Sequence, residues 1–319
     1  MKTAVVAIGG NSLIANPTKI SFADQYRTVK ETISNLSELI KSDYNLVITH
    51  GNGPQVGFVL IRSHLARNRL PEIPLDTANA LTQAEIGYMI QSALRNELNQ
   101  LRSQRDVVTV ITQVVVDKND PSFKNPTKPI GPFYTKKEAA TLQKELGWIC
   151  KEDAGRGFRR FVPSPQPLEI VEAKAIYALL QSGTIVIAAG GGGIPAIKAD
   201  GQLVGISAVV DKDLASGLLA TTIGAELLLI STSVEKVYRN YNRPNAEPID
   251  EMDVAEAKAL YRANQFPAGS MGPKIAAAIQ FLDKGGKLVI ITQPTKIAAA
   301  LKGDSGTRIV RQIKSPDSG

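Results

Sequence analysis

A chain of 319 residues with 43% hydrophobic content can bury one large core or two modest ones, and nothing in its composition points to disorder or a fibre. Its net charge of +7, from 37 basic and 30 acidic residues, is spread along the chain except for a basic neighbourhood at residues 118–160, so an anionic small substrate accounts for it without nucleic acid. The single cysteine, Cys150, excludes an intramolecular disulfide and cannot make a zinc site alone, while strand-sized apolar runs and an N-terminus without signal character leave no membrane role and an expected cytoplasmic location.

Residues 3–8, TAVVAI, read as a buried strand ending in the glycine turn Gly9-Gly10-Asn11-Ser12. Such a turn lets backbone N–H groups approach a ligand, and Asn11 adds an amide donor. Residues 24–41 carry Val29, Ile33, Leu36 and Ile40 on one face, predicting a helix, and residues 44–49 form the next strand of a βαβ unit. That strand ends in His50-Gly51-Asn52-Gly53-Pro54, a second turn of backbone and amide donors suited to a small oxyanion. A dinucleotide fingerprint is absent, which disfavours a nicotinamide enzyme. His50 reads as a structural hydrogen-bonder.

A long helix is expected over residues 80–102, with an apolar stripe of Leu81, Ala84, Tyr88, Leu94, Leu98 and Leu101 for a core or an interface. Residues 107–116 read as one strand. Residues 117–165, rich in proline, lysine, arginine and aromatics around one polar helix, are too long for a connection and read as an inserted subdomain, either a lid or a surface elaboration. A helical pattern follows from residue 169 to 181, then the strand TIVIAA and four glycines, 190–193. With no side chains to obstruct it, the turn at Gly190, Gly191 and Gly192 suits a phosphate chain lying against the backbone.

After a hairpin turn at Asp200-Gly201 comes GISAVVDKDLASGLL, where Asp211, Lys212 and Asp213 stand at the expected handover from strand to helix. A lysine at a helix start adds charge to an anion site, and flanking carboxylates can fix its ammonium; either aspartate serves equally as an N-cap. Beyond the strand at residues 226–231, Val237 and Tyr238 suit either the flanks of an adenine ring or plain packing. Ser270 is a plausible cap for a helix with Pro273 in its first turn, and Lys274 there gains nothing from the helix dipole, so an anion is needed to justify it. Two lysines at helix starts and three glycine turns suit phosphoryl transfer, without a Walker motif or a kinase catalytic loop.

In chain order GGNS, HGNGPQVG, NPTKPIGPFY, EDAGRGFRR, VPSP, GGGGIP, VDKDLAS, VEKVY, AGSMGPK and GTRI resemble the carbamate kinases of the amino-acid-kinase superfamily over nearly the whole chain. The resemblance implies an α/β fold, a three-layer αβα sandwich around a mainly parallel sheet with a protruding inserted subdomain, working as a homodimer. It implies reversible phosphoryl transfer between ATP and carbamate with magnesium, run towards ATP in arginine fermentation. Residues 1–225 would bind carbamate and the transferring phosphate, and residues 226–319 the nucleotide. Gly10, Asn11, Gly51, Asn52 and Gly53 would hold carbamate and phosphate. Lys212 and Lys274 would neutralise the moving charge, Asp213 would orient both, and Lys128 would reach in from the insertion. Tyr238, Met271 and Pro273 would line the nucleotide pocket, with Val237, Asp211 and Gly190 to Gly192 on the same side. Ser207 and Ser233 depart from the family pattern, at positions where glutamate and aspartate or glycine are frequent. Another acid kinase of the superfamily would lack NPTKPIGPFY; a ligand sensor would have lost a lysine or Asp213.

Overall fold

The computed structural model describes residues 2–313 apart from Asn11, Ser12, Ala15, Pro17, Ala154 and Ala268. The strand Thr3–Ile8 explains the architecture: Val5 and Ala7 enter one hydrophobic cluster, Ala4, Val6 and Ile8 the other. Alternate side chains of a strand point to opposite faces, so a strand covered on both faces reads as a nearly continuous apolar run. Among the described residues the central sheet has eight strands in the order Glu251–Asp253, Thr307–Val310, Leu288–Thr292, Leu227–Ser231, Thr3–Ile8, Asn45–His50, Ile185–Ile187, Val107–Thr109. The last six run parallel, and Thr307–Val310 pairs antiparallel to Leu288–Thr292.

One face is covered by the helices Phe22–Ser34, Ser37–Lys41, Leu75–Gln100 and Ile297–Lys302, the other by Ala173–Gln181, Lys212–Thr222, Val254–Arg262 and Met271–Asp283. The expected three-layer αβα sandwich is therefore the observed fold. The sheet crosses the boundary expected at residue 225, because Leu227–Ser231 pairs directly with Thr3–Ile8.

Several elements differ from the sequence reading for reasons outside local periodicity. The helix expected over residues 24–41 breaks at Asn35 and Leu36, and the break lets Ile33, Leu36, Leu39 and Ile40 all reach one core. Residues 107–116 serve two sheets: Val107–Thr109 lies at the edge of the central sheet, whereas Gln113–Val116 joins a second sheet beside Ile194–Ala199 and Pro167–Ile170. The Gln83 side chain fixes the link, accepting from Thr112 N at 2.8 Å and donating to Thr112 O at 3.0 Å. Residues 169 and 170, expected at the start of the helix, end the strand Pro167–Ile170 instead, and Glu172 turns back to accept from Gln113 N at 2.7 Å before the helix starts at Ala173. Leu81, Ala84 and Tyr88 are exposed on the long helix; its core face is Ile86, Ile90, Leu94 and Leu98. The hairpin at Asp200 and Gly201 is present, both at positive φ, joining Ile194–Ala199 to Gln202–Gly205.

The insertion folds as the helix Lys136–Leu146 on a three-stranded sheet, Lys128–Tyr134, Phe158–Val162 and Ile149–Glu152. The helix is delimited by a capping box between Thr135 and Glu138 and by Gly147 in the left-handed region at φ 63°. The subdomain docks where Gly57 of the helix Gly53–Leu65 meets Gly131; a Cβ on Gly57 would lie 2.0 Å from the Gly131 Cα.

Candidate active site

The handover at residue 211 is sharper in function than in secondary structure. Residues 206–210 form no strand; they are an irregular segment tied by Ile206 N to Pro195 O and by Val209 N to Pro163 O, both 3.0 Å. The helix Lys212–Thr222 then starts with Asp211 as its N-cap, whose Oδ1 accepts from Asp213 N at 2.9 Å. The cap leaves Oδ2 free to pair with Lys128 Nζ from the insertion. Asp213 therefore needs no part in capping. Its Oδ1 takes the Lys212 ammonium and its Oδ2 the Lys274 ammonium at 2.8 Å.

Lys274 comes from the first turn of Met271–Asp283. The Ser270 side chain makes no cap, and Lys274 Nζ itself donates to Ser270 O at 3.3 Å. The two helix starts converge because Gly217 allows close packing: a Cβ there would meet Ala277 at 3.2 Å. Two dipoles and three ammonium groups thus converge around two carboxylates, a concentration of positive potential that a multiply charged anion can use.

Burial opposes the charge on Asp213, which is 3% exposed, yet the two lysines outweigh it and hold its carboxyl below the usual range. Burial pushes Lys212 down from its ordinary value, partly countered by Asp213. For Lys274 burial acts in the same downward sense but Asp213 prevails, and its pKa is raised. His50 behind them is 1% exposed, pushed down to about 4 by burial and held by Gly51 O at 3.0 Å from Nδ1, so it is a neutral structural group.

Lys212 and Lys274 floor an open cleft of about 590 Å³ that Gly10, Gly51, Asn52, Gly53, Lys128 and Gly191 also border. Gly10 has open space beside it, and Gly51 packs along the Lys212 stem, where a Cβ would stand 3.5 Å from Cδ. Thr232, Ser233 and Ser270 lead on into a narrower hollow with Tyr238, Tyr241, Phe266 and Met271 in its walls.

Other expected site residues stand elsewhere. Asn11 lies outside the described residues. The Asn52 amide points into the protein, donating to Asn79 Oδ1 at 3.1 Å and Thr82 Oγ1 at 2.9 Å, which leaves its backbone for the cleft. Gly190 and Gly192 are enclosed: a Cβ on Gly190 would strike the His50 ring at 2.3 Å, and one on Gly192 the Val210 carbonyl at 2.2 Å. The tetraglycine is thus a packing joint beneath the site, with Gly191 alone at its surface. Val237 is fully buried in the core and donates its N–H to Thr307 Oγ1, so it does not flank the hollow. Pro273 borders neither space.

Sequence reasoning missed Arg156 and Arg159, which border the cleft from the insertion and lie over the Phe133 ring at 4.8 and 5.3 Å. Arg159 is anchored to Gly131 O at 3.1 Å and Asp153 at 3.2 Å. The signal was present in EDAGRGFRR, but which arginine faces the cleft depends on strand register. No group of three or more His, Cys, Asp or Glu suited to a metal occurs among the described residues, and Asp211 and Asp213 are committed to ammonium groups. A resident magnesium does not fit this donor set; phosphate oxygens of a substrate would have to supply its ligands.

The sequence profile of the amino acid kinase family matches residues 2–293. The chain is 47% identical to the carbamate kinase of Pyrococcus horikoshii over 96% of its own length and 98% of the relative's. It is 49% identical to the carbamate kinase-like protein YahI of Escherichia coli over 96% and 98%. The solved structure of Giardia lamblia carbamate kinase bound to AMP-PNP aligns at a TM-score of 0.89 and 42% identity, covering 97% of this chain and 98% of that one.

Proposed function

The chain belongs to the amino acid kinase family, and we infer from its cleft that it is a carbamate kinase, transferring phosphoryl between ATP and carbamate to give ADP and carbamoyl phosphate. The observation that carries this reading is one buried carboxylate, Asp213, holding the ammonium groups of two helix starts at the floor of a cleft.

In the direction of ATP synthesis, an oxygen of the ADP β-phosphate attacks the phosphorus of carbamoyl phosphate. The bond from phosphorus to the carbamate oxygen breaks, and its electron pair leaves with carbamate. No proton has to move at the phosphorus, so the protein supplies position and charge. On this reading Lys212 and Lys274 contact the equatorial oxygens of the transferring group, and Asp213 stays ionised and aims both. The backbone at Gly10, Gly51, Asn52 and Gly53 holds the carbamate end. Lys128 exchanges Asp211 for substrate, and the nucleotide base occupies the hollow at Tyr238 and Met271, with magnesium arriving on the nucleotide phosphates. Because carbamoyl phosphate is an acyl phosphate anhydride, transfer to ADP is downhill, and we take ATP formation as the working direction, in the cytoplasm.

We also propose a homodimer. The exposed stripe of Leu81, Ala84 and Tyr88 supports it, and sedimentation at twice 34.2 kDa is the expected result against a monomer that would refute it.

The direct test is ATP formation from ADP and carbamoyl phosphate. Lys212→Met and Lys274→Met should each lower kcat by about 10²–10³ with a smaller change in ADP affinity, as expected for a contact made chiefly in the transition state. Absence of ATP formation by the unmodified protein would overturn the reading, and wild-type kcat in either variant would remove that lysine from it.

A further inference from the structure

On the strand Phe158–Val162 neighbouring residues face opposite ways, and Arg159 and Arg160 are neighbours. Arg159 borders the catalytic cleft. Arg160 borders a separate cavity of about 340 Å³ between the insertion and the body of the protein, with Leu146 and Trp148 on the insertion side and His64, Glu72 and Ser207 opposite.

The cation in this cavity, Arg160, is paired with no carboxylate among the described residues. The Arg160 guanidinium lies 4.3 Å from the centre of the Trp148 ring and makes no ion pair or side-chain hydrogen bond among the described residues. Burial lowers its pKa from the ordinary value, as it does for Arg159 beside it. A stacked ring offsets part of that cost, but five N–H donors remain to be satisfied. His64 lines the same cavity. Its Nε2 stands 3.1 Å from the Arg67 guanidinium and must accept there, which leaves the ring hydrogen on Nδ1. That Nδ1 is buried and has no hydrogen-bond partner; Glu72 Oε1, at 3.6 Å, is beyond reach. Glu72 is the one acidic side chain lining the cavity, and it is more than half exposed.

We propose that this cavity is a binding site for a small organic carboxylate. The anion pairs with Arg160, and the apolar body of the ligand lies against the walls at Leu146 and Trp148. Concave, largely apolar walls with a few convergent donors are the general form of such sites. Because the cavity joins insertion to body, and because Arg160 shares a strand with Arg159, occupancy also sets the position of the insertion over the cleft. That second part rests on the carbamate kinase reading; the binding itself does not.

Trp148 is the only tryptophan in the chain, so its emission reports on the cavity directly. The probe is benzoate, with benzamide as its uncharged counterpart, at constant ionic strength. Benzoate should change Trp148 emission saturably, with half-saturation on the order of 1 mM, and benzamide should not. Arg160→Gln should raise the half-saturation at least about tenfold, the scale of a lost charge-assisted contact. Ser207→Phe, at an exposed position on the rim, should abolish the saturable change with kcat/KM unaltered in the absence of benzoate, and it decides the matter should Arg160→Gln fail to fold. A linear or absent benzoate response overturns the proposal. So does equal response to benzamide, or a wild-type response in folded Ser207→Phe. In the ATP-forming assay, saturating benzoate should shift KM for carbamoyl phosphate in the wild type and not in Ser207→Phe; an unchanged KM alongside saturable binding overturns only the coupling to the cleft.

Discussion

Replacing Asp213 by asparagine keeps the shape of the side chain and the helix cap, which belongs to Asp211, and removes the one charge that two ammonium groups share. Asp213 is 3% exposed, and the side chains of Lys212 and Lys274 are only 13% and 12% exposed. The variant therefore leaves two cations close together with little water, and Asp211, already paired with Lys128, as the remaining carboxylate. Removing one member of a buried pair costs about 3–5 kcal/mol. Asp211 still acts favourably on both lysines, which places the expected loss at the lower end, near 3 kcal/mol. At roughly 2–4 °C per kcal/mol for a chain of this size class, Tm should fall by about 6–12 °C. Turnover should fall by about 10²–10³, because the lysine heads are no longer aimed.

The sign with pH follows from the depressed Asp213 pKa: its stabilisation is present above the unfolded carboxylate value near 3.9 and is lost as pH falls below it. The Tm gap between variant and wild type should thus be constant from about pH 5 to 8 and close below about pH 4. Calorimetry with and without sulfate, alongside the ATP-forming assay, checks this. Sulfate should recover part of the Tm by supplying negative charge between the lysines, and none of the turnover. A Tm within about 2 °C of wild type together with kcat within about threefold would refute the argument.

His50 is buried and neutral with a pKa near 4, so the unfolded chain takes up its proton first and stability declines as pH falls from about 6.5 to 4, by about 3 kcal/mol; denaturant titrations should show the decline in wild type and a flatter profile in His50→Gln. Gly57→Ala drives a methyl group into Gly131 of the strand that starts with Lys128, so the insertion must shift; KM for carbamoyl phosphate should rise and stability fall by about 1–3 kcal/mol, and an unchanged KM would dissociate this contact from Lys128 placement. Lys128→Ala should raise KM for carbamoyl phosphate or lower turnover with ADP affinity little changed, and bound substrate should slow proteolysis within residues 118–160; equal cleavage with and without ligand, and wild-type kinetics, would leave the insertion without a lid function.

The layered α/β fold was legible in the chain because a strand buried on both faces carries an unbroken apolar run, and Thr3–Ile8, Asn45–His50 and Leu227–Ser231 each show one, with polar residues only towards their ends. Helix starts at Lys212 and Lys274 were legible for the same reason: caps, prolines and the first apolar turn are neighbours in sequence. The division of labour between Asp211 and Asp213 was not. Either can cap a helix, and the choice is made by Lys274, 61 residues away, and Lys128, 83 residues away. Gly190 and Gly192 look like a phosphate cradle until His50 and Val210 close over them, and the Asn52 amide looks free until Asn79 and Thr82 take its hydrogens. Arg159 and Arg160 carry identical chemistry, yet pairing of Phe158–Val162 with Lys128–Tyr134 turns one towards the cleft and the other away. Composition and periodicity constrain what a residue does with its near neighbours; orientation into a shared space depends on register and packing between distant segments, and only the folded chain decides those.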